Sequence, residues 1–306
     1  LNSSLGNKKN DYRQYLDPEF VSKIKSLELK AKLVVEGFKV GLHRSPYHGF
    51  SVEFSEHRPY MQGDSVRHID WKVYGKRDRF YIKQYEEETN LSSHIILDSS
   101  ASMKFKYTGS ISKFEYGKIL AAALSYLMIS QQDAVGLSLF SEKVNQYLPP
   151  KANRVYIKQI IRALENVEAS NKTLTGLSLN SVAEKIRKRG MVIIISDLLD
   201  DPDEIMKALR QFHYKKNEVI VFQLLDQSEL KFDFSKDSQF IDLETDEKLI
   251  TQPYQIQKAY FEAFQDYLET LKKGCLKYGI DYNLITTEMP FDKALFSYFK
   301  KRIRLN

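Results

Sequence analysis

Met191-Val192-Ile193-Ile194-Ile195 is an unbroken apolar run, and four of its five residues are β-branched. A strand that is apolar on both faces has to be covered on both faces. That is the position of a central strand in a parallel sheet. The chain from residue 91 onward repeats the theme. Ser93–Leu97, Ala134–Phe140, Glu218–Leu225 and Asp281–Thr286 have strand character. Between them, residues 112–130, 154–164, 179–188, 202–213 and 254–278 carry apolar side chains at helical spacing. Strands alternating with helices predict an α/β fold with a Rossmann-like, doubly wound, mostly parallel sheet.

The upstream third reads differently. Residues 1–15 are expected to be flexible. Asp17-Pro18 is a helix start, with Asp as the cap and Pro at the first helical position. Phe20, Ile24, Leu27 and Ala31 continue the helical spacing, predicting a helix to about Val35 that Gly37 and Gly41 terminate. Residues 49–54 and 80–85 alternate as strands, and the stretch from Arg58 to Trp71 between them is polar and turn-rich. These features predict a small β-rich module, so that residues 16–90 form a helix plus that module and 91–306 form the main domain. Residues 228–252 interrupt the alternation and read as a hairpin insertion beside the sheet.

Composition removes several function classes. Forty-six basic and forty acidic residues give a net charge of +6, but both signs are interspersed. That describes a solvated mixed surface rather than a nucleic-acid footprint. The aromatic residues lie at core-like spacings, not interleaved with Arg along one strand. Lys300, Lys301, Arg302 and Arg304 form the densest basic run and read as a frayed, solvated tail. Cys275 is the single cysteine, which excludes an internal disulfide framework and a cysteine-based zinc site and fits a reducing compartment. The six histidines show no HxxxH spacing, and neither a phosphate-binding P-loop nor a Gly-x-Ser-x-Gly elbow is present. No apolar stretch approaches the ~20 residues that span a bilayer, and the N-terminus has no apolar leader core. A cytoplasmic chain without a membrane span is expected.

The chemistry concentrates where apolar strands end. Ile95-Ile96-Leu97 runs directly into Asp98-Ser99-Ser100-Ala101-Ser102, and Met191–Ile195 runs into Ser196-Asp197. In open α/β sheets the crevice past the carboxyl ends of the strands is where ligands bind. Thr173 adds a third hydroxyl just before the helix leading into the second strand. Asp98, Ser100, Ser102, Thr173 and Asp197 are hard oxygen donors of the kind Mg2+ prefers, with Mn2+ or Ca2+ as alternatives. A site of neutral hydroxyls and two carboxylates leaves room for a carboxylate from a partner protein. Asp-x-Ser-x-Ser alone is weak, arising by chance in about one chain in ten of this length, and such residues commonly cap loops and helices. Its position after an apolar strand, matched by Ser196-Asp197, is what gives it weight. An enzyme is the alternative: a magnesium-dependent hydrolase or phosphatase with Asp98 as nucleophile. Such phosphatases place a general acid Asp two residues on, where this chain has Ser100.

Asp98-Ser99-Ser100-Ala101-Ser102-Met103, Thr173 and Ile195-Ser196-Asp197 resemble the metal-ion-dependent adhesion site of von Willebrand factor A domains. Glu53-Phe54, Arg58-Pro59-Tyr60, Gly63-Asp64, Arg67, Ile69-Asp70-Trp71 and Tyr85-x-x-Glu88 resemble the signature of the bacterial domain-of-unknown-function 58 family. Gly279-Ile280-Asp281-Tyr282 and Pro290-Phe291-x-x-Ala294-Leu295 are similar to that family's last strand and helix. The resemblance implies a von Willebrand A-type domain, direct ligation by Ser100 and Ser102, and ligation by Asp98, Thr173 and Asp197 directly or through water. It also implies a non-enzymatic adaptor working with a MoxR-type AAA+ ATPase, or with a client protein, in protein maturation or stress response. Two departures stand out. The family's Gly-x-Thr-Asp-Leu is here Asn171-Lys172-Thr173-Leu174-Thr175, which keeps Thr175 open as the ligand. The membrane helices that many relatives carry near the N-terminus have no counterpart here. The Arg58–Trp71 cluster is either a second contact surface or a self-satisfied hairpin, the latter fitting the rule that buried polar groups pair within the fold.

Overall fold

Strands that are apolar on both faces end up where both faces are covered. The computed structural model describes residues 12–43, 57–59, 74–75, 80–83, 91–170, 174–232, 234, 238–241, 248–251 and 253–303. In chain order its elements are α1 (Pro18–Ser22), α2 (Leu27–His43), β1 (His57–Pro59), β2 (Tyr81–Lys83), β3 (Ser92–Asp98), α3 (Lys113–Ser130), β4 (Ala134–Phe140) and β5 (Val144–Lys151). There follow α4 (Tyr156–Asn166), α5 (Thr175–Lys185), β6 (Met191–Ser196), α6 (Pro202–Tyr214), β7 (Glu218–Leu225), α7 (Gln227–Lys231), β8 (Ser238–Ile241), β9 (Lys248–Thr251), α8 (Pro253–Lys277), β10 (Asp281–Thr286) and α9 (Phe291–Ile303).

Six strands form one sheet in the order β10-β7-β6-β3-β4-β5. Every pairing is parallel except β4 with β5. The chain builds outward from β3 in one direction, then crosses back to β6 and builds the other way. This is the doubly wound order, and its switch point lies between β3 and β6. Alternation along the strands assigns the faces. Ile95, Leu97, Ile193, Ile195, Phe222 and Leu224 pack into one hydrophobic cluster with residues of α3 and α9. Ile96, Val192, Ile194, Val219 and Val221 pack into the other, with residues of α5, α6 and α8. The fold class expected from the sequence is the one observed.

Helix α3 is buried around most of its circumference, as a helix apolar on all sides must be. The sheet lies on one side of it and α2 on the other. The N-terminal helix departs from expectation twice. It breaks between Ser22 and Leu27, where the Ser26 hydroxyl accepts from the N–H of Leu29 at 3.3 Å and starts α2 afresh. It then runs through both Gly37 and Gly41 to His43. Those glycines serve close approach instead of termination: a Cβ at Gly37 would sit 3.1 Å from Tyr12 O, and one at Gly41 3.1 Å from the Tyr12 ring.

Two further expectations are corrected. β5 was not expected: half its residues are exposed and it carries Pro149-Pro150, so it lacks a strand pattern. Pro is tolerated there because β5 is an edge strand. Two residues of the basic C-terminal run, Lys301 and Arg302, are not solvated, whereas Lys300 is exposed. Lys301 is buried and pairs with Glu218 and Asp281, each at 2.9 Å, while Arg302 pairs with the fully buried Asp133. Helix α9 is thereby fastened to the sheet. The strands β1 and β2 pair antiparallel, as do β8 and β9. Residues 49–54, the interior of the Arg58–Trp71 segment and Arg304 lie outside the described residues. Among the described residues no helix is long and apolar enough to cross a membrane.

Gly190 precedes β6 where it passes Ser92. A Cβ there would stand 1.9 Å from the Ser92 carbonyl oxygen, a backbone atom that cannot swing aside. Gly190→Ala should therefore push β6 off β3 and cost about 2 kcal/mol or more. Urea denaturation checks this through the midpoint, and a wild-type midpoint would contradict the packing.

Candidate functional site

Asp98 is the last residue of β3, and Ser196 is the last of β6. The two strands are parallel neighbours, with Leu97 opposite Ile195. Their carboxyl ends therefore open at the same edge, at the switch point. Asp98 is fully buried. Its Oδ2 accepts from Ser196 Oγ at 2.6 Å and its Oδ1 from the N–H of Ser100 at 2.9 Å. Ser196 Oγ in turn accepts from the N–H of Leu198 at 2.9 Å. Leu198 is held at φ +52°, and Tyr267 donates its hydroxyl to the carbonyls of Leu198 and Asp200. On the other side, Ser99 is tied by its N–H and hydroxyl to the carbonyl of Phe140 at the end of β4.

This scaffold presents Ser100 and Ser102 side by side, their hydroxyl oxygens 3.0 Å apart. Ser100 is buried and Ser102 half-buried, so the pair is reached from the Ser102 side. Thr173 lies outside the described residues. The residues flanking it are fastened to both site loops: the N–H of Ser170 donates to Ser99 O and that of Thr175 to Asp200 Oδ2, both at 2.9 Å. Thr175 Oγ1 is buried and has no hydrogen-bond partner among the described residues.

Asp197, the second predicted carboxylate, joins an ion pair that the sequence reading missed. Lys113 Nζ lies 2.9 Å from Asp197 Oδ2 and 2.7 Å from Glu229 Oε1, with the lysine side chain sealed from solvent. Glu229 also accepts from the N–H of Asp226 at 2.7 Å, closing a capping box at the start of α7. Asp226, just past β7, accepts from the N–H groups of Tyr107 and Thr108 and from the Thr108 hydroxyl at 2.6 Å. Three neighbouring strands thus each deliver an acid to one rim: Asp98, Asp197 and Asp226. The cues were faint. Asp226-x-x-Glu229 has capping-box spacing after a strand. Lys113 is a cation at the first position of a helix, where the helix dipole disfavours it.

Electrostatics follow from burial. Burial and then the adjacent Asp197 raise the Asp98 carboxyl to about 7. Burial would lower the Lys113 ammonium, but Asp197 and Glu229 outweigh it and raise its pKa. Burial raises Glu229 against the pull of Lys113. Burial also pushes Asp226 upward, but the Thr108 hydroxyl and the N–H donors overcome it and leave its carboxyl below the usual range. Cys275 is buried, its thiol pushed up to about 12 by desolvation, as fits an inert thiol.

The donor set suits a hard cation. Adjacent ligands of an octahedral Mg2+ with bonds of about 2.1 Å stand about 3.0 Å apart, the spacing of the two serine hydroxyls. The Thr175 hydroxyl, buried and without a partner among the described residues, is a further hard oxygen on the segment fastened to Asp200. Among the described residues no three His, Cys, Asp or Glu side chains converge as metal ligands, so a cation here depends on hydroxyl oxygens.

The Asp98 shift has a sign. An unfolded Asp releases its proton near 3.8 and folded Asp98 near 7. Between those values the folded state binds more protons, so stability falls as pH rises from about 4 to about 7 and levels off above. Thermal melts in chelator across that range should show this fall for wild type and a flatter profile for Asp98→Asn. Parallel profiles would contradict a buried, protonatable Asp98.

Comparison with known proteins adds the following. Residues 56–268 match the sequence family described as "Protein of unknown function DUF58". Uncharacterized proteins of Mycobacterium tuberculosis (Rv1480) and Mycobacterium bovis (Mb1516) are 26% identical over 213 residues, which is 69% of this chain and 66% of theirs. The match therefore spans just under two thirds of those relatives. Among solved structures, BatB from Bacteroides thetaiotaomicron aligns with 71% of this chain and all of its own, at 16% identity and a TM-score of 0.48. The VWA domain of SpRpn10 aligns with 67% of this chain and 94% of its own, at 12% identity and a TM-score of 0.41. With more than half of its length, including β3 and β6, inside the matched region, the chain belongs to the DUF58 family.

Proposed function

We propose that this chain is a non-enzymatic adaptor that captures a partner protein through a divalent cation, Mg2+ first, at the Asp98–Asp197 rim. Ser100 and Ser102 would ligate directly, with Thr173 or Thr175, and with Asp98 and Asp197 directly or through water. When bound, the ion supplies a Lewis-acidic position for a carboxylate of the partner. A MoxR-type AAA+ ATPase, or a client it remodels, is the partner class suggested by the family resemblance, and a cytoplasmic setting is part of the same reading.

The observation that carries the proposal is the paired hydroxyls of Ser100 and Ser102, 3.0 Å apart at the switch point and open on one side. The phosphatase alternative is disfavoured by the same geometry. Asp98 has no solvent exposure, and both of its oxygens are already hydrogen-bonded. A carboxylate nucleophile has to reach its substrate in line, and this one is enclosed and held on both oxygens.

Isothermal titration of MgCl2 into the full chain, followed by capture on the purified MoxR-type ATPase of the same genome, tests the reading. Ser100→Ala should keep the fold and weaken both Mg2+ binding and Mg2+-dependent capture by tenfold or more, since about 1.4 kcal/mol is a factor of ten. Capture that is equally strong in excess chelator would remove the metal from the reading.

A further inference from the structure

We infer that Lys113 is the built-in cation of this rim: its ammonium holds Asp197 and Glu229 together without a divalent ion and thereby limits how tightly the adjoining hydroxyl site takes one. Lys113 is sealed from solvent and reaches both carboxylates, Asp197 Oδ2 at 2.9 Å and Glu229 Oε1 at 2.7 Å. Among the described residues the one local partner of its ammonium is the Phe105 ring, 5.7 Å from Nζ, a weak contact beside two carboxylates. Lys113 occupies the first position of α3, the positive end of an 18-residue helix, where a cation is unfavourable. A buried ammonium is tolerable only when its counter-charges are close and themselves hydrogen-bonded. Here they come from two other places in the chain, the end of β6 and the first turn of α7. Glu229 is further tied by the N–H of Asp226 and Asp197 by that of Leu199 at 3.4 Å.

The charge balance shows what the lysine changes. Asp98, Asp197 and Glu229 carry three negative charges when ionised, and Lys113 carries one positive charge. Asp226 adds a further negative charge, its carboxylate held ionised by N–H and O–H donors. Each of these acids makes the rim more negative, and Lys113 offsets one unit of that charge. Without Lys113 the rim would be more negative by one charge, so an added ion would bind more tightly yet leave more negative charge to repel a partner's carboxylate. Lys113 thus weakens the ion's hold and keeps the loaded site receptive to an acidic group. Only this second consequence rests on the metal reading proposed above; the assembly of the rim by Lys113 does not.

Lys113→Met keeps the length and removes the charge. The full chain and this variant are melted in EDTA and in MgCl2, and MgCl2 is titrated into each by calorimetry. Wild type should fold in both buffers and melt only modestly higher in MgCl2. Lys113→Met should melt lower in EDTA, recover with MgCl2, and bind Mg2+ about tenfold or more tightly than wild type, a mass-action stabilisation that a merely structural lysine would not produce. Should it not fold in EDTA, Lys113→Met/Glu229→Gln removes one of the two stranded carboxylates and should fold with a smaller recovery in MgCl2. A Lys113→Met protein that melts like wild type in EDTA overturns the inference. So does a loss that MgCl2 leaves unrepaired in both variants. Recovery of Lys113→Met by Mg2+ with no Mg2+ binding by wild type supports Lys113 and sinks the metal reading for the native chain.

Discussion

A hydrogen bond of 2.6 Å between Ser196 Oγ and Asp98 Oδ2 joins the carboxyl ends of the two central strands. It sits where the doubly wound order reverses, so everything delivered by the loops on either side is set by it. The Asp98 side presents Ser100 and Ser102. The Ser196 side presents Asp197 and, through Leu198 in a left-handed turn, Asp200. The second acid, Asp197, is buried as well, and Lys113 supplies its counter-charge from the first turn of α3. Strand order, loop conformation and charge therefore converge on one rim of the sheet.

The parts of this arrangement that were legible in the sequence are those governed by local pattern. β3, β4, β6, β7 and β10 are runs whose apolar character follows from being covered on both faces, and two of them end in Asp98 and in Ser196-Asp197. The elements that were not legible depend on distant partners. β5 is polar and half-exposed because one neighbour and a loop suffice at an edge. Gly37 and Gly41 look like helix terminators until Tyr12 is seen packing into the space that their missing side chains leave. Lys301 and Arg302 look like a solvated tail until Glu218, Asp281 and Asp133 are brought to them by β7, β10 and the turn before β4. Lys113 and Glu229 are 116 residues apart, and no spacing rule connects them.

The opposite end of the sheet gathers basic residues, for a reason that lies in the topology. In βαβ units each helix starts at the rim where the preceding strand ends, so helix N-termini gather at the carboxyl edge and C-termini at the amino edge. Helix dipoles favour negative groups at the first and positive groups at the second. The chain follows that division. Asp98, Asp197, Asp201 and Asp226 lie at the carboxyl edge, and the last two cap α6 and α7 directly. At the amino edge, Lys185 ends α5 and Arg187, Lys188 and Arg189 follow it, and with Glu218 they line a cavity of about 780 Å3 beside the first residues of β3, β6 and β7. Against that background Lys113 is a buried exception, a cation at an edge whose dipoles disfavour it. An exception buried this completely has to be held by something stronger than the dipole, and the two carboxylates flanking its ammonium are that force.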